Sequence, residues 1–436
     1  MKTVVIGAGS YVFAPGVVRE FIRHQRHDDQ LVLVDINLPA AQALAEAGQT
    51  IAREIGCRGS ITASDQRAKA LATADVVILC AAIAGKARWN ADKNLLIAHG
   101  LPGQARECGG LGGLGYSLRS ISLVMGVAAD IRRHCPNAWL MNVTNPLPRV
   151  VTAANRYGGV RALGFCNAAC GGANGQVKLQ RLLGRAPADL LVHTAGLNHF
   201  AWLLSVRDAA GQELKGVVES MARDRNPKFA TGFGDPDRIA RWLDLYGAVA
   251  CSGADHQAEW LEDNAPAELQ DAFHGDEKER ISRSETIKAI GHGKSEWRTT
   301  YPGGWDAAFS PWEHPFEAAM AICDRADLDL DMINLSNNGH LPELPAGRIV
   351  EVPLAIRKGV LTRVPLPPLH PKTAAILNRV SQVHELIAEG AATGNRARLL
   401  EAVRLDPAVP QTDQAMRAAE AIIDAQTDLL PALAHK

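Results

Sequence analysis

Short apolar runs alternate with amphipathic stretches through the first third of the chain. "KTVVIGA" is β-branched and apolar throughout, and "QLVLVDIN" and "ADVVILCAAI" repeat the type. Between them, "APGVVREFIRHQ" and "LPAAQALAEAGQTIAREI" carry apolar residues at helical spacing. Strands apolar on both faces are buried on both, so the alternation predicts a parallel sheet covered by helices. "NAWLMNVTNP" and "VRALGFCN" read as later strands ending in loops, and "DLLVHTAGLNHFAWLLSVRD" as two strands around a polar turn. After about residue 205 the pattern becomes helical and polar, and the polar stretch 263–300 reads as a mobile loop or lid. Helical periodicity resumes in "FEAAMAICDRA", "PKTAAILNRVSQVHELIAEGAATG" and "QAMRAAEAIIDAQTDLL". The expected class is α/β: an N-terminal Rossmann-type parallel sheet over residues 1–165, then an α+β metal- and substrate-binding domain over 166–436.

A chain of 436 residues can hold two domains with a large shared interface. Its 47% apolar and 21% charged content is that of an ordinary globular protein. A formal net charge of -1 gives no basic field, which argues against nucleic acid as a main partner. No unbroken apolar run reaches the roughly 18 residues that span a bilayer, so no membrane association is expected. "MKTVVIGAGS" enters the first strand at once, leaving no room for a signal peptide. The eight cysteines are scattered and contain no CxxC pair. Reduced thiols, and with them a cytoplasmic location, are the expectation.

Candidate chemistry begins at "VVIGAGSYVFAPG". Gly7-Ala8-Gly9 ends a strand and precedes a helix, where one glycine allows a tight turn and the other lets backbone approach a pyrophosphate. The third position of the usual fingerprint is Val12, so the match is partial. Asp35 closes the second strand, placed to accept hydrogen bonds from an adenosine ribose, which favours NAD over NADP. Further on, "RALGFCNAACGGANGQ" and "HTAGLNHFAWLL" each hold one side chain suited to a soft divalent metal, Cys166 and His199. Taken alone, each is more often a buried core or turn residue than a ligand.

With these segments in hand, the chain resembles the NAD- and divalent-metal-dependent glycosidases of glycoside hydrolase family 4, whose fold is of the lactate/malate dehydrogenase type. The resemblance runs through "IGAGS", "ADVVILCAAIAGKARWNADKNLLIAHGLPGQARECGGLGGLGYSLRSI", "NVTNP", "GFCN", "GLNHF", "LYGAVACSGADHQAEW" and "INLSNNGHLPELPAGRIVEVPLAI". It implies that Gly7, Gly9, Ser10, Asp35 and Asn145 bind NAD, and that Cys166 and His199 bind Mn²⁺ or a similar ion. It further implies sugar contacts from Asn145, Asn167, Asn198 and His256, and a base role for Tyr246. Dimers or tetramers are implied as well.

The activity implied departs from the usual pair of catalytic carboxylates. The sugar is oxidised at C3, loses a proton from C2, expels its C1 substituent, adds water and is reduced again. A cation on the C2 and C3 oxygens stabilises the negative charge that develops. Tyr246 could act as base only with its pKa lowered from about 10. Two departures qualify the match. Asn167 follows the metal cysteine and cannot donate a proton as an acid, and "Ala254-Asp255-His256" lacks the arginine expected before the histidine. Loss of that cation points to an unphosphorylated substrate, and "LDLYGAVACSGADHQAEW" to a uronic acid glycoside. Two other readings compete: an NAD-dependent 2-hydroxy-acid dehydrogenase of the same superfamily, and a catalytically silent NAD-binding sensor. The former predicts no metal and an arginine beside the histidine, and nothing in sequence near His199 supplies one.

Overall fold

Six parallel strands open a single sheet that continues, antiparallel, into the second half of the chain. A computed structural model describes residues 1–166, 168, 173–185, 189–262, 277–295, 297–301, 303–311 and 313–434. The strands are β1 (Lys2–Ile6), β2 (Gln30–Val34), β3 (Ser60–Ser64), β4 (Val76–Leu79), β5 (Trp139–Asn142) and β6 (Arg161–Gly164). They are followed by β7 (Leu190–Leu197), β8 (Phe200–Asp208), β9 (Leu328–Ser336), β10 (Ile349–Arg357) and β11 (Val360–Arg363). The sheet order is β3-β2-β1-β4-β5-β6-β9-β10-β7-β8, with β11 on β10. The junction is antiparallel, with Gly164 of β6 opposite Asn334 of β9.

Side-chain alternation on β1 explains the layers. Val5 enters one core with Val17, Val18 and Phe21 of the helix Ala14–Arg23. Val4 and Ile6 enter the other, with Leu114, Leu118 and Ile121 of the helix Gly110–His134. Both faces of the strand are therefore dry, as its continuous apolar composition requires. The helix Leu38–Ile55 starts where Asn37 accepts from the Ala40 N–H and stops at Gly56, φ 77°.

Several elements differ from the sequence reading. The glycine-rich run "GLGGLG", not assigned an element from the sequence, forms the first turns of the helix Gly110–His134. Packing explains the composition: a Cβ on Gly113 would lie 2.0 Å from the Cys108 carbonyl oxygen, and one on Gly112 2.5 Å from that of Arg106. By length and composition this helix could cross a membrane, which amends the expectation that no segment could; 78% of its most apolar window is buried inside the protein. Strand β3, "SITAS", is short, half polar and at the sheet edge, so no periodicity announces it. Within the expected lid, residues 263–276 lie outside the described residues, while Glu277–Gly291 is a helix packed on Leu38–Ile55. Residues of Pro371–Thr393 and Asp413–Asp424, such as Val383, Ile387 and Ile422, complete the core around Gly110–His134. The last third of the chain thus packs back on the first.

Candidate metal and cofactor site

The loops that follow β1, β4, β5 and β6 all leave the same, carboxyl edge of the parallel strands, which is where α/β sheets bind their ligands. Gly7 follows β1 at φ 94°, and a Cβ there would lie 2.7 Å from the Ala81 backbone beyond β4. Only glycine meets both conditions. The Gly9 N–H donates to Asp35 Oδ2 at 2.8 Å, and the Asn37 N–H to Asp35 Oδ1 at 2.8 Å. The Ser10 hydroxyl accepts from the N–H groups of Phe13, at 3.3 Å, and Val12, at 3.4 Å. Gly7, Gly9 and Ser10 therefore form one loop before the helix Ala14–Arg23, tied by a hydrogen bond to Asp35 at the end of β2.

Cys166 lies two residues beyond β6, and His199 in the tight turn between β7 and β8, at φ 60°. Although 33 residues apart in sequence, Cys166 Sγ and His199 Nε2 approach to 3.5 Å. Thiolate and imidazole donors at about 2.3 and 2.0–2.1 Å from one tetrahedral ion would be about 3.5 Å apart, so the pair has the spacing of two ligands to one divalent cation. Burial pushes the Cys166 thiol well above its ordinary value, and Glu351 and Glu313 add to the shift. Burial, then His256, holds His199 well below its own. A cation binding here displaces the thiol proton and finds the imidazole already neutral.

Polar side chains converge on this pair. His256, on the helix Ala254–Leu261, stacks on His199 with ring centroids 3.9 Å apart and an 18° interplanar angle. Its Nδ1 lies 3.8 Å from Glu259 Oε1, one helical turn on. Glu259 Oε2 is held by the N–H groups of Cys108, at 2.6 Å, and Gly109, at 2.9 Å. Glu107, His199, His256 and Glu259 have potential ligand atoms within 4.8 Å of one another. Asn145, after β5, donates to Glu107 Oε1 at 2.8 Å. Asn198 and Asn334 both donate through Nδ2 to Glu351 Oε2, each at 2.8 Å. Burial raises the Glu351 carboxyl to about 7 against the two amide hydrogen bonds that lower it. Glu351 Oε1, Asn198 Oδ1 and Asn334 Oδ1 are buried acceptors with no partner among the described residues, a set that fits ligand hydroxyls.

The structure thus gathers Cys166, His199, Asn198, His256 and Asn145, with the glycine loop and Asp35 on the same sheet edge. Asn167 lies outside the described residues. Tyr246 is different. It ends the helix Pro236–Tyr246 with its ring edge-on to Trp202 at 5.5 Å. Burial and then Glu262 raise its pKa, while the cations that oppose them are Arg379 and Arg241. Glu107, Glu259, Asn334 and Glu351 were not singled out from the sequence. The H-x-x-E spacing of His256 and Glu259 on a helix was the one local signal available.

A dinucleotide-type loop and a thiol–imidazole pair on one edge of a dehydrogenase-like sheet define an α/β enzyme equipped for metal-assisted redox chemistry. The family 4 glycosyl hydrolase profile matches residues 2–182, and that of the family 4 glycosyl hydrolase C-terminal domain matches 194–409. The chain belongs to family 4 of the glycosyl hydrolases. Similar proteins include an alpha-glucosidase of Erwinia rhapontici, 28% identical over 93% of each chain. An alpha-galacturonidase of Thermoanaerobacterium saccharolyticum is 25% identical over 79% of this chain and 78% of its own. Among solved structures, a 6-phospho-alpha-glucosidase from gut microorganisms in complex with NAD and Mn²⁺ superposes with a TM-score of 0.75 at 19% identity, covering 98% of both chains. Malate dehydrogenase of Cryptosporidium parvum shares the fold at a TM-score of 0.51 and 16% identity, covering 90% of this chain and 99% of its own.

Proposed function

We propose that the chain hydrolyses an unphosphorylated glycoside, using NAD and a divalent metal bound at the carboxyl edge of the parallel strands. The observation that carries this reading is the 3.5 Å approach of Cys166 Sγ to His199 Nε2. Gly7, Gly9 and Ser10 would hold the pyrophosphate and Asp35 the adenosine ribose. Ile36, fully exposed beside Asp35, offers an apolar face to the adenine. Asn145 would link the cofactor to the sugar, and Cys166 and His199 would hold the metal. When bound, the dinucleotide supplies reversible hydride transfer at C3 and the ion supplies Lewis acidity.

The chain's own groups orient the sugar and move its protons. Asn198 and Asn334, fixed through their amide nitrogens on Glu351, turn carbonyl oxygens toward ring hydroxyls. We assign removal of the C2 proton to His256 rather than Tyr246. Its imidazole stacks on His199 beside the proposed metal pair, with Glu259 Oε1 3.8 Å from Nδ1. Glu351 and Glu313 both bear on Cys166, and Glu107 and Glu259 lie close to His199. These carboxyl groups favour an uncharged substrate group over a phosphate dianion, with Arg106 and Arg149 the buried cations beside Glu259. The same observation favours a neutral hexoside over a uronic acid glycoside; the latter is supported by the Leu243–Trp260 segment and the galacturonidase relative.

The test is release of nitrophenol from α-glucoside, α-galactoside, α-galacturonide, α-glucuronide and 6-phospho-glucoside substrates. Turnover of an unphosphorylated substrate that needs both NAD⁺ and Mn²⁺, without net NADH, is expected. Exclusive turnover of the phosphorylated substrate refutes the substrate class. Steady NADH accumulation on a 2-hydroxy acid would establish the dehydrogenase reading instead, and an inert, metal-free protein the sensor reading.

A further inference from the structure

Arg149, on the short helix Leu147–Thr152 just after Asn145, buries a full positive charge beside the site. Its Nε donates to His384 Nδ1 at 3.1 Å, and its Nη1 donates to the Gly113 carbonyl at 3.0 Å and the Ser117 hydroxyl at 2.8 Å. The guanidinium carbon lies over Trp260, 5.5 Å from the ring centroid, and His384 meets the same ring edge-on at 5.0 Å. We propose that Arg149 is a positioning residue: it locks the helix Ala254–Leu261, which carries His256 and Glu259, to the Asn145 loop and the start of Gly110–His134. The catalytic consequence rests on the function proposed above; the lock itself does not.

The chemistry of the residue is the first support. Arg149 makes no ion pair among the described residues, and its Nη2 is buried without a hydrogen-bond partner. Burial lowers its pKa to about 10, against Asp406, Cys108 and Glu259, so it stays charged near neutrality. A buried charge in that state is destabilising, and an apolar side chain of similar volume would fill the space without that loss. A guanidinium offers what such a side chain lacks: donors in a fixed planar fork and a face that stacks on indole. Here the fork reaches two elements and the face a third, from 36 positions away at Gly113 to 235 at His384.

The contacts also end at functional groups. Trp260 adjoins Glu259, whose carboxylate is held by the Cys108 and Gly109 N–H groups. The Gly113 N–H donates to the Gly109 carbonyl at 3.0 Å, so Arg149 grips the same helical turn that holds Glu259. The Ser120 hydroxyl, further along that helix, donates to the Asn145 carbonyl at 2.7 Å. Asn145, Glu259 and His256 are thus fixed relative to one another through Arg149 and this helix, whereas Cys166 and His199 are placed by β6, β7 and β8.

The experiment is hydrogen–deuterium exchange of the full chain, read by mass spectrometry, with Arg149→Met compared with the parent well below either melting point. Backbone amides of residues 104–113 and 254–261 should exchange about 10-fold faster in the variant, with those of β1 unchanged. On whichever glycoside the parent turns over, kcat should fall about 10–100-fold with KM within a few-fold, because the base is displaced and not the metal pair. Unchanged exchange in both segments overturns the proposal. So does acceleration shared by β1, the mark of an ordinary core residue, and so does an unchanged kcat in a chain whose helix has loosened. A parent with no glycosidase activity counts against the proposed function alone, and exchange still decides the lock. Should Arg149→Met not fold, Arg149→Lys, which keeps the charge and loses the fork, is read by the same outcomes.

Discussion

Glu351→Ala removes the carboxylate that fixes both asparagines of the substrate side. Glu351 is fully buried, and its Oε2 accepts from Asn198 and Asn334 at 2.8 Å each. Truncation strands two buried amide donors at about 1–3 kcal/mol apiece, or about 2–6 kcal/mol in total. For 436 residues the unfolding entropy is about 0.9 kcal/mol/K, so Tm should fall by about 2–7 °C. Asn198 adjoins His199 and also hydrogen-bonds the Cys166 thiol, so its release should weaken Mn²⁺ binding about 10–100-fold. The sign with pH follows from the carboxyl itself. Burial raises it from 4.5 to about 7, so the folded chain holds this proton more tightly than the unfolded one. Its contribution to stability is full below pH 4.5 and declines as pH rises through 7. The loss in Glu351→Ala is therefore larger at pH 6 than at pH 8, where relief of a buried charge offsets part of it. Glu351→Gln keeps one acceptor oxygen and should lose less than Glu351→Ala at pH 6, with a flatter profile between pH 4.5 and 7. Thermal melts and Mn²⁺ titration calorimetry at both pH values provide the data. A Glu351→Ala protein with unchanged Tm and unchanged Mn²⁺ affinity refutes the reasoning.

Two further outcomes are expected. Asp35→Ala removes the acceptor from the end of β2 and should raise the Kd for NAD⁺ about 10–100-fold, read by fluorescence titration, with Mn²⁺ affinity unchanged. His256→Ala should lower kcat about 10²–10⁴-fold while Tyr246→Phe stays within a few-fold of the parent; the reverse ranking, measured on the same glycoside, returns the base role to Tyr246.

The parts of the molecule legible in the sequence were those encoded locally. β1, β2 and β4 are continuous apolar runs, and the glycine loop with Asp35 is set by steric and hydrogen-bonding needs within a few residues. Cys166 and His199 were visible as residue types, but their meeting depends on β6 and β7 belonging to one sheet through β9 and β10, which no local pattern states. The same long-range geometry hid Glu351 and Asn334, ordinary residues on two strands until β9 and β10 pair with them in register. The glycines at the start of Gly110–His134 carry low helix propensity, so no local signal marks that helix start. Tertiary crowding against Cys108 and Arg106 accounts for them instead. Tyr246 was placed by its segment alone, and the fold adds that its ring packs edge-on to Trp202 at 5.5 Å.

The unbroken sheet constrains how a glycoside reaches the reacting groups. Many two-lobed enzymes open by swinging one lobe about a flexible connector, but here such a swing would tear the ladder where Gly164 faces Asn334. Admission and release must therefore be handled by segments off the sheet, while the strands bearing the thiol, the amides and Glu351 keep their spacing throughout turnover.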